Sequence, residues 1–266
     1  MPHPIDSVVY GANAIIRPGA AAQNRAQLML MFSETLTRWS FAEAAVGDAL
    51  AVILREDAVQ VVRRFIQQPN SKRQRETLME YAEQQLPADD LETLRILLKL
   101  CEDDFKQRNK LAHWLTGYSP QIPDGILLMN PSEQWSHAAD FWVWLEDALS
   151  KTEYDPLGQR PEPPRDKIYV YKADDFRKMS ASINELISAF DAFNEMYSVV
   201  AGDGRGARAR GYAQLCSLPR FLQERARREG RRTAQDLRRS QSDVGPPRRF
   251  LSHLTRFLAR FFGAAD

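Results

Sequence analysis

Cysteine is almost missing from this chain: Cys101 and Cys216 are the only two in 266 residues, and they stand far apart. No disulfide framework is implied, and a reducing, cytoplasmic setting is the expectation. Histidine is scarce as well. His3, His113, His137 and His253 are scattered, with no second histidine or cysteine at ligand spacing, so neither metal nor cofactor is expected. No run approaches the ~20 apolar residues of a membrane-spanning helix. The first residues carry no basic stretch ahead of an apolar one, so neither an anchor nor a secretory leader is expected. Missing too are a G-x-S-x-G turn, an H-E-x-x-H pair and a dinucleotide glycine pattern. The glycines of 202–211 follow no strand and precede no Lys-Ser/Thr pair. That stretch reads as a flexible basic linker rather than a phosphate-binding loop.

What is present is apolar mass and an uneven charge. Apolar residues make up 44% of the chain, enough for a sizeable core in one large domain, or in one domain with an appendage. The net charge of +1 hides an asymmetry: from residue 203 onward there are fifteen arginines, no lysine and six acids, while the earlier residues carry an excess of acid. A basic segment of this kind attracts RNA, anionic lipid or an acidic protein surface.

Residues 1–22, with Pro2, Pro4, Gly11, Pro18 and Gly19, read as an irregular lead-in holding a short strand at Val8 to Tyr10. From Ala22 onward, Leu28, Phe32, Leu36, Trp39, Ala42, Val46 and Leu50 recur at three- and four-residue steps towards Leu54. This is a long helix, with Gly47 its weak point. Shorter helices are expected over 59–67 and 73–85, the second capped near Asn70. Leu91, Leu94, Leu98, Cys101 and Phe105 then line one face of a helix for which Asp89 or Asp90 is the expected cap. Thr116 to Pro120 ends that helix and leaves His113 in its last turn. Strands at 125–131 and 167–171 are expected to pair as a two-stranded ribbon, with a helix at 136–149 between them. A last long helix opens at Asp174 or Asp175 and carries Phe176, Met179, Ile183, Leu186, Phe190, Phe193 and Tyr197 on one stripe. Beyond the linker come an arginine-rich helix over 218–232 and a basic amphipathic one over 248–262.

The pattern is interrupted at Arg108-Asn109-Lys110-Leu111-Ala112-His113. The apolar stripe through Phe105 continues onto Arg108, and an arginine on a core-facing line needs a partner or a cleft. Asn109 and His113, four apart, share a helix face, and Arg108 is long enough to converge on it. Glu43 on the preceding long helix is the expected orienting carboxylate for Arg108. Asp104, one turn earlier on the same helix, is the other candidate. A histidine among such donors can take or give a proton at working pH.

On a late helix of a helical chain, this arrangement resembles the R-x4-6-H signature of the HEPN superfamily, here in the wording RNKLAH at 108–113. The resemblance implies an all-α, up-and-down helical bundle over 23–201, within which the residues themselves place an insertion at 118–170 and a small two-stranded β ribbon. The lead-in at 1–22 and the basic helical tail over 202–266 are read from the residues alone, and the resemblance does not extend to that tail. The resemblance also implies a homodimer in which two motifs face each other, and a metal-independent endoribonuclease of the toxin or antiphage-defence kind. Arg108, Asn109 and His113 are then the catalytic residues. His113 moves protons, Arg108 stabilises charge on the phosphate oxygens, and Asn109 holds the phosphate or orients the histidine. Arg205, Arg208, Arg210, Arg227, Arg228, Arg231 and Arg232 are the expected sequence-independent phosphate contacts. The segment 248–262 is expected to reach a protein partner or a membrane surface. The alternative within the same resemblance is a non-catalytic dimerisation or scaffold protein tethered by that basic C-terminal helix.

Overall fold

The computed structural model describes residues 2–54, 58–150, 161–197 and 204–243. The chain is mostly helical but carries a five-stranded antiparallel sheet, which corrects both the all-α expectation and the two-stranded ribbon. It opens with β1 (His3–Pro4), α1 (Ile5–Val8), β2 (Ile15–Ile16) and α2 (Ala20–Asn24). Four helices follow: α3 (Ala26–Leu54), α4 (Ala58–Ile66), α5 (Ser71–Gln85) and α6 (Ala88–His113). Next come the hairpin of β3 (Leu115–Ser119) and β4 (Ile122–Met129), the helix α7 (Pro131–Ser150), and β5 (Ile168–Lys172). The helices α8 (Ala173–Tyr197), α9 (Gly204–Leu215) and α10 (Pro219–Asp243) end the described chain.

The sheet runs β1-β5-β4-β3-β2, and β4 at its centre shows why it stays in place. Its side chains alternate between faces. Ile126 and Leu128 join Leu28, Phe32, Leu111, Tyr171 and Phe176 against the helices, while Leu127 and Met129 join Ile5, Ala12, Ile168 and Val170 on the other side. The lead-in, expected to be irregular, thus supplies two edge strands and the cover for one sheet face. Val8 to Tyr10 is not a strand; Ile5–Val8 is a helical turn instead, and Ile5 is fully buried.

The larger core lies among α3, α4, α5, α6, α8 and α9 around Trp39, Leu50, Leu78, Leu94, Leu97, Phe190 and Phe193. Each such side chain contributes about 1.5–3 kcal/mol by leaving water. The α3 stripe follows the expected spacing with two changes. Thr35 rather than Leu36 is buried, its hydroxyl donating to the Met31 carbonyl at 2.8 Å and lying 3.1 Å from the Ser180 hydroxyl. At the end of the stripe Ile53 rather than Leu54 is buried. The expected linker at 202–211 is helical from Gly204. There the missing Cβ of Gly211 lets α9 approach the Ala192 carbonyl and Met196 of α8 closely.

The chain divides at Phe221 into two units. The second contains the rest of α10, where Glu224 accepts from Arg227 at 3.3 Å and Arg228 at 3.1 Å, and Arg225 pairs with Glu229 at 2.9 Å. No helix among the described residues is long and apolar enough to cross a membrane.

Candidate functional site

The helix that carries the motif is anchored at its start by a carboxylate, though not as a cap. Pro87 occupies the cap position without a side-chain bond. Asp90 instead points inward, where the Tyr197 hydroxyl and an Arg208 Nη2 at 2.6 Å both donate to it. Its burial requires these partners. The same arrangement pushes the Tyr197 phenol above its ordinary range, by burial first and by the Asp90 carboxylate second. Arg208, expected on an RNA surface, is thereby committed to holding α6, α8 and α9 together.

Further along the same helix, Asp104, Gln107, Arg108 and Leu111 form one wall of a cleft of about 180 Å³. Thr35 and Leu36 of α3 form the second wall, Lys178, Met179 and Ser182 of α8 the third, and Pro2 closes one side. Arg108 is half-buried on this wall. Its Nη1 donates to the Asn109 Oδ1 at 3.3 Å, and its guanidinium carbon lies 5.9 Å from the Phe105 ring centre. Its Nε is buried without a hydrogen-bond partner. Among the described residues no carboxylate pairs with it.

Neither expected orienting carboxylate reaches Arg108. Glu43 accepts from the Trp39 indole Nε1 at 2.8 Å, satisfying the buried donor one helical turn before it. Asp104 is held by both Nη atoms of Arg220, at 2.9 and 3.0 Å, and by the Ser182 hydroxyl at 2.7 Å. Arg220 also donates to the Ser182 carbonyl at 2.8 Å, and its backbone N–H donates to Glu185 at 2.7 Å. Arg108 therefore has no carboxylate partner among the described residues, in a cleft that Asp104 and Asp175 also line.

His113 is the last residue of α6 and is exposed. Five helical positions separate it from Arg108, a turn of about 140° about the axis, so it faces away from the cleft. Asn109 lies between them, touching Arg108 and sharing a face with His113. Lys110 adds charge nearby, its Nζ 5.4 Å from the Trp114 ring centre and 5.9 Å from that of Tyr169. Arg75 on α5 lies 5.5 Å from the Phe105 ring centre, with its Nη1 buried and unpartnered. Arg75, Lys110, Lys178 and Arg220 were not among the expected site residues. Their positions depend on contacts between elements, which no local spacing displays.

Of the remaining arginines, Arg210 donates to Glu195 at 3.0 Å, and Arg227 and Arg228 share Glu224. Arg231 and Arg232 are exposed. The Arg205 side chain lies outside the described residues, as do His253 and the whole of 248–262. Burial pushes the Cys101 thiol up to about 12, which makes it a poor nucleophile at neutral pH. Among the described residues no three of His, Cys, Asp and Glu are grouped to hold a metal ion. No family model, curated protein or solved structure matches the chain.

Proposed function

We propose that this chain is a HEPN-type endoribonuclease that binds RNA through Arg108 and cleaves it with His113. The observation that carries the reading is the unpaired, half-buried Arg108 guanidinium on the cleft wall, in contact with Asn109, within a motif that ends on an exposed histidine. In the reaction the ribose 2′-oxygen attacks phosphorus, its proton passes to a base, and the bond from phosphorus to the 5′-oxygen breaks as that oxygen gains a proton. His113 serves one of these proton transfers. Arg108 stabilises the charge gathering on the non-bridging oxygens. Because Arg108 and His113 of one chain diverge around α6, the reading pairs Arg108 of one copy with His113 of another.

The test is cleavage of varied RNAs in the presence of chelator by the wild type, Arg108→Ala and His113→Ala. Cleavage by the wild type that is lost in both variants, with their helical signal unchanged, supports the proposal. A folded wild type inert on every RNA contradicts it. The uncovered helix α7 favours a second reading, a helical association module without catalysis. That reading predicts RNA inertness together with self-association.

A further inference from the structure

The helix α7 is 20 residues long and, although rich in tryptophan, has no buried residue. Trp135 is 74% exposed, Trp142 61%, Val143 68% and Leu149 71%. Trp135, Trp142 and Leu149 are spaced seven apart, the repeat at which one helix meets another lengthwise. Acid is set into the same face. Glu146 stands four residues after Trp142 and three before Leu149, and Asp140 stands three before Val143, the separations of neighbours on a helix surface. Both carboxylates are exposed, and among the described residues neither has an ion-pair partner. The whole of α7 carries four acids and no lysine or arginine.

We propose that this face docks a basic amphipathic helix of another protein. Three observations select that occupant. The seven-residue repeat of large side chains suits a helix lying lengthwise, whose own apolar residues recur at the same interval. The acids call for cations beside those apolar residues, since Asp140 and Glu146 lie within the area that such a helix covers and have no counter-charge on α7. The same acids disfavour other occupants: an anionic membrane and a nucleic acid are repelled, and a second α7 brings four more acids and no cation. Area sets the kind of contact. Trp135, Trp142 and Leu149 leave on the order of 450 Å² open, about half of one side of a standard interface, which suits one docked helix in a transient complex. The inference is independent of RNA cleavage.

The probe is a synthetic amphipathic helix of leucine and arginine, about 18 residues long, set against the same peptide with glutamate in place of arginine. Each is titrated into the full chain while tryptophan emission is followed. The arginine peptide is expected to bind saturably, to shift the emission to the blue as Trp135 and Trp142 leave water, and to bind more weakly as salt rises. The glutamate peptide is expected not to bind. Trp142→Ala is expected to weaken the arginine peptide about tenfold or more. Asp140→Lys combined with Glu146→Lys is expected to weaken it by a similar factor and to admit the glutamate peptide, an exchange of preference that loss of fold does not give. Val59→Ala and Glu80→Lys, which change an exposed apolar residue and an exposed acid outside α7, are expected to leave binding as it was. A wild type that ignores the arginine peptide overturns the proposal, whether a second copy or a membrane then covers α7. So does binding that survives Trp142→Ala or the double charge reversal, or that Glu80→Lys weakens as much.

Discussion

Asp104 lies within reach of two arginines, and which one holds it decides the state of the site. Arg108 lies four residues further on, the separation at which a helix pairs opposite charges. Both carboxylate oxygens nevertheless go to Arg220, from 116 residues away in sequence. Removing Arg220 leaves a half-buried carboxylate short of partners and releases it towards Arg108. Arg220→Ala is expected to cost about 2–4 kcal/mol in urea unfolding, somewhat less than a fully buried pair. It should also lower the salt slope of RNA binding by about 0.7, the value of one phosphate contact on a single strand. Adding Asp104→Asn should restore that slope without restoring stability; an unchanged slope in Arg220→Ala would mean that Arg108 contacts no phosphate. Cys101 gives a second residue-scale prediction. Its thiol is raised to about 12 in the folded chain against a starting value of 9.0, so above pH 9 the unfolded state loses the proton first. Stability contributed by the neutral thiol is therefore lost as pH rises from 9 towards 12. Thiol titration with a disulfide reagent near pH 8 should find Cys101 unreactive until denaturant is added. The exceptional place of Arg108 was legible from the apolar stripe it interrupts, but the competition for Asp104 was not, because nothing local announces a partner so distant.

At the scale of elements, legibility followed length. The 29 residues of α3 and the 25 of α8 repeat their apolar spacing often enough to be read directly. The Asn70 cap, accepting from the Arg73 N–H at 3.0 Å, carries its own local chemistry. The strands β1 and β2 are two residues each, too short for any alternation to appear. β3 was hidden because Thr116-Gly117-Tyr118-Ser119 also reads as a helix stop. In fact the absent Cβ of Gly117 admits the Ile15 carbonyl, which lets β2 pair there. Two glycines separate conformational cost from close packing. At Gly47 an added methyl meets only Phe65 at 3.9 Å, so Gly47→Ala should stabilise α3 by about 0.5–1 kcal/mol in chemical denaturation. At Gly211 it would run into the Ala192 carbonyl. Gly211→Ala should therefore destabilise by about 1–3 kcal/mol, by the same measurement, as α9 is pushed off α8.

At the scale of the whole molecule, the two proposals concern neighbouring places. Met129, just before α7, pairs with Leu115, just after His113, so the start of α7 and the motif lie at the same end. Cleavage itself rests on Arg108 of one copy serving His113 of another, since the two diverge around α6. The most direct measurement is complementation between two inactive chains. Arg108→Ala and His113→Ala are unfolded together, refolded as a mixture, and assayed on RNA in chelator. If Arg108 of one copy serves His113 of the other, mixed pairs regain one intact site in two, and about a quarter of wild-type cleavage returns. A mixture as inert as its components, alongside an active wild type, would contradict a site shared between copies.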